Sequence, residues 1–285
     1  MSNCFQHYKK QIYVIAILFI IIGIFMITTN TNFLSLFNEK VFQQKIIEVN
    51  NDLKNPVKHD NPKPSEKTVP ANNQQGRIIC LDPGHQVKAD PAKEPIGPGS
   101  GVLKEKDGGG TSGINSHTTE YQVNLDISFR LKKLLEDAGI KVIMTRTTND
   151  VHLGNIDRAN MANQSNADLF LRIHCDGSDN KTTSGTSVLY PYKNEWTEPV
   201  YQNSKLAASA IQESLVKECG RKNNGIVERG DMTGFNWSKV PVVIVEVAYM
   251  SNPEEDKLLN TPEFLQSAAQ GIFNGVIGYF KLLDS

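Results

Sequence analysis

RIICLDPGHQ, residues Arg77 to Gln86, passes from a strongly apolar segment through a Pro-Gly break to a histidine. The apolar part, Arg77 to Leu81, is partly β-branched and predicts a short buried strand. Pro83 and Gly84 end the strand, so His85 falls on the loop just past its carboxyl end. Ligands of open α/β sheets bind outside this end of the strands. His85 is therefore a candidate metal ligand or general base, with an ordinary loop residue as the alternative.

A second apolar run ends in the same manner. In DLFLRIHCDGS, Asp168 to Ser178, a predicted strand leads directly into His174. If the two strands are parallel neighbours, His85 and His174 emerge at the same edge of the sheet. A carboxylate that can join them is Glu120, in the first turn of a predicted helix. Two histidines and one carboxylate form a familiar ligand set for a catalytic zinc that keeps an open fourth position.

Other titratable residues are candidates for supporting roles. Glu246 ends the buried run VPVVIVE, where a charge is costly unless it is paired, metal-linked or functional. It is the natural general base for a metal-bound water, and a structural ion pair is the alternative. Asp82 and Asp176 lie close to the strand-end histidines and either orient an imidazole or form turns. His117 competes for the metal, and His152 competes less.

Strand-like and helix-like runs alternate along the chain, which implies an α/β domain with a mostly parallel sheet covered by helices on both faces. The predicted strands are Arg77–Leu81, Lys141–Thr145, Asp168–Ile173, Thr186–Tyr190 and Val242–Val247. The predicted helices are Thr119–Ala138, Asn155–Asn166, Tyr201–Cys219 and Pro262–Leu282.

Two loops are candidates for function. Gly97 to Gly113 reads as one long glycine-rich loop, which a compact domain rarely tolerates unless the loop is functional or mobile. Glu228 to Pro241 precedes the predicted strand that carries Glu246, and it contains Phe235 and Trp237. These aromatic side chains either contact substrate or cover the core.

The N-terminal part predicts a membrane anchor. Residues 12–28 are uncharged and apolar, which is the short end of the length that spans a bilayer, and Lys9 and Lys10 precede them. The positive-inside rule places residues 1–11 in the cytoplasm and exports the rest. Residues 29–76 are then a stalk and proline-rich linker, and residues 77–285 form the catalytic domain. The alternative is a cleaved signal peptide and a secreted protein.

Composition excludes one class of partner. The chain has 30 Lys and Arg against 31 Asp and Glu, so no basic surplus exists to neutralise the phosphates of a nucleic acid. Its four cysteines show no metal-binding or disulfide spacing.

Four ordered motifs together carry a resemblance to a known family. LDPGHQ, TEYQVNLDIS, DLFLRIHCDGS and PVVIVEVAYMSNPEEDKLL resemble the zinc-dependent N-acetylmuramoyl-L-alanine amidases, the type 3 group of bacterial cell-wall hydrolases. The similarity spans Arg77 to Leu282. It implies one Zn²⁺ per catalytic domain, held at the positions of His85, Glu120 and His174, with Glu246 as catalytic carboxylate. It also implies a single domain with a twisted, mostly parallel sheet.

The resemblance implies a reaction and a substrate. The expected reaction is hydrolysis of the amide bond between N-acetylmuramic acid and L-alanine of peptidoglycan, by zinc-activated water with Glu246 as general base. The chain departs from many members after His85, where it has Gln86 and a longer loop in place of a Gly-Gly pair. The sequence leaves open the physiological stage, the stem-peptide preference, the oligomeric state, any cleavage of the anchor and any need for a protein activator.

Three other functions fit parts of the same pattern. A thiol hydrolase would use Cys175 beside His174, although adjacent strand residues point to opposite faces. A wall-binding module would keep the fold without catalysis, although such modules usually lose a ligand or the base. A deacetylase of the same metal class is the third.

Overall fold

The computed structural model describes residue 74 and residues 76–285, which lie within one compact unit, His59–Ser285. The predicted tail at 1–11, the anchor at 12–28 and nearly all of the stalk at 29–76 lie outside the described residues. Within the described part of the chain, no helix combines the length and apolar character needed to cross a bilayer.

A six-stranded sheet forms the centre of the domain, in the order β4-β1-β5-β8-β6-β7. Among these strands, β6 runs antiparallel to β8 and the other neighbours are parallel. A separate hairpin pairs β2 with β3. The strands are β1 Ile78–Pro83, β2 Asp90–Pro95, β3 Leu103–Asp107, β4 Lys141–Met144, β5 Leu169–Asp176, β6 Thr186–Pro191, β7 Asn223–Arg229 and β8 Val242–Tyr249.

The helices begin and end where local sequence signals place them. Asn252 caps α5, because its side chain accepts hydrogen bonds from the amides of Glu254 and Glu255. Gly220 ends α3 in the left-handed conformation, with φ of 60°. The helices are α1 Glu120–Asp137, α2 Asn155–Gln164, α3 Glu198–Cys219, α4 Thr233–Asn236, α5 Pro253–Leu259 and α6 Pro262–Asp284.

Buried apolar side chains hold the helices against the sheet. Phe170 of β5 and Ile244 of β8 pack with Ala159 and Ala162 of α2 and with Phe235 of α4. The helix α6 contacts both α1 and α3, and these three helices form another helical layer. The two helices α3 and α6 approach closely, since a Cβ on Gly275 would lie 2.4 Å from the Cα of Ile211. The expected α/β domain with a mostly parallel sheet is confirmed.

The prediction of one uninterrupted loop from Gly97 to Gly113 is wrong, because β3 lies within it. The hairpin strands are charged and proline-containing, so their sequences lack the apolar alternation that marks a strand. Contacts with the rest of the domain stabilise the hairpin instead. Trp237 donates from Nε1 to the carbonyl of Pro95 at 2.9 Å, and Asn236 donates to the carbonyl of Ile96 at 3.0 Å.

Candidate metal centre and cleft

The fold brings His85, Glu120 and His174 together at the carboxyl edge of the sheet. One ligand atom from each residue lies within 4.8 Å of the other two. Glu120 Oε1 is 3.1 Å from His174 Nδ1 and 3.5 Å from His85 Nε2. The two imidazoles meet edge to face, with ring centroids 4.9 Å apart. Two imidazoles and a carboxylate in this proximity are a donor set that suits zinc.

The loop that carries His85 is strained and held by buried side chains. His85 has a φ of 60°, which a residue with a Cβ adopts at a cost. Arg146 donates to the carbonyl of Gly84 at 2.9 Å, and Arg158 donates to the carbonyl of His85 at 3.2 Å. Asn124 of α1 also donates to the Gly84 carbonyl, at 3.3 Å. These hydrogen bonds hold the backbone in the conformation that brings His85 next to His174.

Asp82 does not orient an imidazole, contrary to one of the two expectations for it. Its carboxylate is fully buried and accepts hydrogen bonds from Arg158 at 2.6 Å and Arg172 at 2.7 Å. Burial acts to raise the pKa of Asp82, but the two guanidinium groups outweigh it and hold the pKa far below its usual range. Asp82 is therefore a charged structural centre beneath the loop.

Asp107, at the end of β3, contacts His85 instead. Its Oδ1 lies 2.8 Å from His85 Nδ1 and accepts a hydrogen bond from the amide of Gly109 at 3.0 Å. Burial raises the pKa of Asp107, and the hydrogen bond with His85 more than offsets this, so the pKa is lowered. Sequence reasoning missed Asp107 because the segment LKEKD reads as an ordinary charged loop.

Glu120 is buried, and several donors hold it as a carboxylate. Its Oε2 accepts from the amide of Thr111 at 2.9 Å, and its Oε1 accepts from Asn124 and from the amide of Cys175, both at 3.2 Å. Burial acts to raise the pKa of Glu120, but the hydrogen bond with His174 and the nearby His85 lower it to about 2.

His174 and Glu246 are register partners on the adjacent strands β5 and β8. Within the described residues, His174 Nε2 and Glu246 Oε2 are buried and have no hydrogen-bond partner. Burial lowers the pKa of His174, which favours the neutral imidazole that a metal requires. Burial, followed by the charges of Glu120 and Asp176, raises the pKa of Glu246 well above its usual value. One of these unpartnered atoms belongs to a candidate ligand and the other to the adjacent carboxylate, which fits a site that holds a metal ion and a water.

A cleft of about 690 Å³ surrounds this centre. Its lining includes residues 110–114 and His117 from one segment, and residues 176–179 and Lys181 from another. His117 lines the cleft but does not belong to the metal-binding cluster. His152 neither lines the cleft nor belongs to the cluster.

The predicted substrate loop does not line the cleft. Phe235 is fully buried, and Trp237 packs against the core while it bonds to the hairpin. Of the two roles expected for these aromatic side chains, substrate contact and covering the core, the structure shows the second.

Cys175 lacks the environment of a nucleophile. Its side chain is 3% exposed, and burial together with the nearby Glu120 raises the pKa of its thiol well above the usual value. A reactive cysteine needs a lowered pKa and access to solvent. The geometry therefore disfavours a thiol hydrolase.

Comparison with known proteins matches the part of the chain that contains these residues. Residues 79–278 match the family described as N-acetylmuramoyl-L-alanine amidase. Among curated relatives, LytC of Bacillus subtilis is 28% identical over 253 residues, which cover 88% of this chain and 41% of LytC. Rv3717 of Mycobacterium tuberculosis, also an N-acetylmuramoyl-L-alanine amidase, is 28% identical over 222 residues, which cover 75% of this chain and 90% of that protein.

A solved structure shares the fold. Ami1 from Mycobacterium smegmatis, an N-acetylmuramyl-L-alanine amidase, has 29% sequence identity and a TM-score of 0.65. The match covers 74% of this chain and 99% of Ami1.

Proposed function

The chain belongs to the N-acetylmuramoyl-L-alanine amidase family, and we propose that it hydrolyses the amide bond between N-acetylmuramic acid and L-alanine in peptidoglycan. The observation that carries this proposal is the meeting of His85, Glu120 and His174 at one sheet edge, with Glu246 on the neighbouring strand. A wall-binding module without catalysis would have no need of all four positions.

His85, Glu120 and His174 would hold one Zn²⁺. Asp107 determines which nitrogen of His85 is available to the metal. Its carboxylate is hydrogen-bonded to Nδ1, so Nε2, which faces Glu120, is the available atom. Carboxylate partners of this kind orient metal-binding imidazoles and raise their basicity. A zinc ion held there would supply Lewis-acid chemistry, which would lower the pKa of a bound water towards about 7 and polarise the scissile carbonyl.

Glu246 would move the proton. Its carboxylate lines the same cleft as the three ligands, and its strand register places it beside His174. As general base it takes the proton of the attacking water, and as general acid it returns that proton to the amine of L-alanine as the amide bond breaks. The pairing of β8 with β5 keeps this carboxylate beside His174.

The remaining organisation is part of the proposal. Residues 1–11 form a cytoplasmic tail, residues 12–28 anchor the chain in the cell membrane, and residues 29–76 link the anchor to the catalytic domain at 77–285. This arrangement is supported by the apolar run and its preceding lysines. It would hold the domain on the extracytoplasmic side, within reach of the cell wall. Secretion after signal cleavage is the alternative.

The test is digestion of purified peptidoglycan by the full-length chain, with new termini identified by mass spectrometry. We expect new L-alanine amino termini paired with intact muramic acid, lost on addition of a zinc chelator and restored by zinc. Release of acetate without new amino termini would instead indicate a deacetylase. Absence of any new group under all conditions would contradict the proposed activity.

A further inference from the structure

We propose that His117 is a substrate-contact residue of the cleft, which binds a polar group of the muramoyl peptide beside the metal centre. The inference rests on the proposed function, because it concerns the same cleft. Among the described residues, the non-glycine residues with positive φ are His85, His117 and Asn166. Two of the three are histidines that line the cleft, at φ of 60° and 58°.

The conformation of His117 costs energy that a glycine would not. A left-handed φ brings the Cβ of an ordinary residue close to its own backbone, and glycine has no Cβ. Histidine and asparagine are both found at positive φ more often than most residues, but Asn166 ends a turn after α2 and does not line the cleft. Strained residues of this kind concentrate at functional sites. His117 occupies a glycine-like position while it presents an imidazole.

The segment around His117 is fixed by buried groups, so the imidazole has a defined place. Asp256, which is 1% exposed, accepts hydrogen bonds from the amides of Asn115 at 2.8 Å and Ser116 at 2.9 Å. The amide of His117 donates to the carbonyl of Gly113 at 3.0 Å. The amide of Ile114 donates to the carbonyl of Met250 at 3.0 Å, which ties the segment to the end of β8.

The imidazole of His117 has no structural hydrogen bond in the described domain. It is exposed, and it makes no hydrogen bond within residues 76–285, where Asp256 is a nearby charge. A neutral imidazole offers one donor and one acceptor, which suits the amides, hydroxyls and carboxylates of a muramoyl peptide. Residues 176–179 and Lys181 also line this cleft.

The experiment measures KM and kcat of the zinc-loaded full-length chain on two soluble substrates. One is an N-acetylmuramoyl peptide with a full stem, and the other carries a stem of two residues. We expect His117→Gly to raise KM about fivefold or more, as for one lost hydrogen bond, with kcat within about twofold. Its Tm should be equal to or higher than that of the unmodified chain, because the backbone strain is removed. His117→Asn should restore part of the affinity.

The matched control is Asn166→Gly, which changes the other left-handed residue away from the cleft. It should leave KM unchanged on both substrates. A KM rise for His117→Gly on the long substrate alone would locate the contact on the distal stem, and a rise on both would locate it near the scissile bond. A KM within twofold of the unmodified chain on both substrates would overturn the proposal.

A binding measurement separates this inference from the proposed activity. Calorimetric titration of the full-stem muramoyl peptide into Glu246→Gln, with and without His117→Gly, reads the contact without turnover. Weaker binding in the double variant supports the role of His117 even if the reaction is another one. Equal binding would contradict it, whatever bond the protein cleaves.

Discussion

The ends of β1 and β5 carry the two histidines of the candidate metal centre, and these strand ends are built in different ways. His174 lies within β5, and the ladder to β8 sets its position beside Glu246. His85 lies beyond β1 on a strained loop, which is held by side chains from α1, α2 and the residues after β4. Regular backbone pairing positions His174, and a buried polar network positions His85.

The aspartates near the two histidines also differ, both in their burial and in their role. Asp82 is fully buried between Arg158 and Arg172, whereas Asp176 is half-buried and lines the cleft. Asp82 therefore stabilises the loop of His85, and Asp176 contributes charge to the environment of Glu246. Similar sequences at two strand ends thus have different physical roles.

The largest expected effect concerns the β5 side, where Glu246 adjoins His174. Glu246→Gln removes the proton acceptor while it keeps the shape of the side chain. We expect turnover to fall by about 10²–10⁴-fold with zinc content unchanged, because general base catalysis contributes about this much. Kinetics on the muramoyl peptide and metal analysis of the same sample measure both. Full activity in this variant would assign the base to another residue.

The β1 side is tested by Asp82→Asn, with Asp176→Asn as the matched control. Breaking a buried ion pair costs about 3–5 kcal/mol, because the guanidinium partners stay buried without their counter-charge. The control should change the free energy of unfolding by less than about 1 kcal/mol. Chemical denaturation at pH 7 compares the two, and equal effects would remove the distinction between the strand ends.

The pH dependence sharpens the same comparison. The pKa of Asp82 is lowered in the folded state, so its stabilisation is complete above the unfolded-state pKa of about 4 and is lost as pH falls below it. The stability difference between the unmodified chain and Asp82→Asn should therefore narrow as pH falls from about 5 to 2. A constant difference over this range would indicate that packing, and not charge, is responsible.

A smaller effect is expected at Asp107, which contacts Nδ1 of His85, whereas Nδ1 of His174 contacts the candidate ligand Glu120. Asp107→Asn should weaken zinc binding by about 10–100-fold, since the imidazole loses a charged acceptor at Nδ1. Asp90, its cross-strand partner in the hairpin, offers a control on the same element. Chelator competition measures the zinc affinity of both variants. Equal affinities would show that His85 needs no carboxylate partner.

The parts of the fold that the sequence predicts are those with strong apolar patterns. β1, β4, β5, β6 and β8 and the four long helices agree with their predictions to within a few residues. The sequence does not predict β7, the hairpin or the short helices α4 and α5, because contacts with the rest of the domain stabilise them more than their own patterns do.

The residues of the site also divide into those that the sequence predicts and those that only the folded structure shows. His85, Glu120 and His174 can be chosen from strand ends and motifs, and the structure brings them together. Asp107 cannot, because a short charged strand with two lysines and one glutamate gives no sign that its aspartate is buried against an imidazole. The strain at His117 likewise depends on a backbone conformation that its residue type does not reveal.

The claim that both strand ends contribute to one metal centre is tested most directly by zinc content. The metal is measured in the purified full-length chain and in its His85→Ala and His174→Ala variants. Two differently built strand ends that form one metal centre predict one zinc per unmodified chain and loss of bound zinc in either variant. Circular dichroism of both variants would check that the fold is retained. A folded variant that still holds one zinc per chain would contradict the ligand assignment at that strand end.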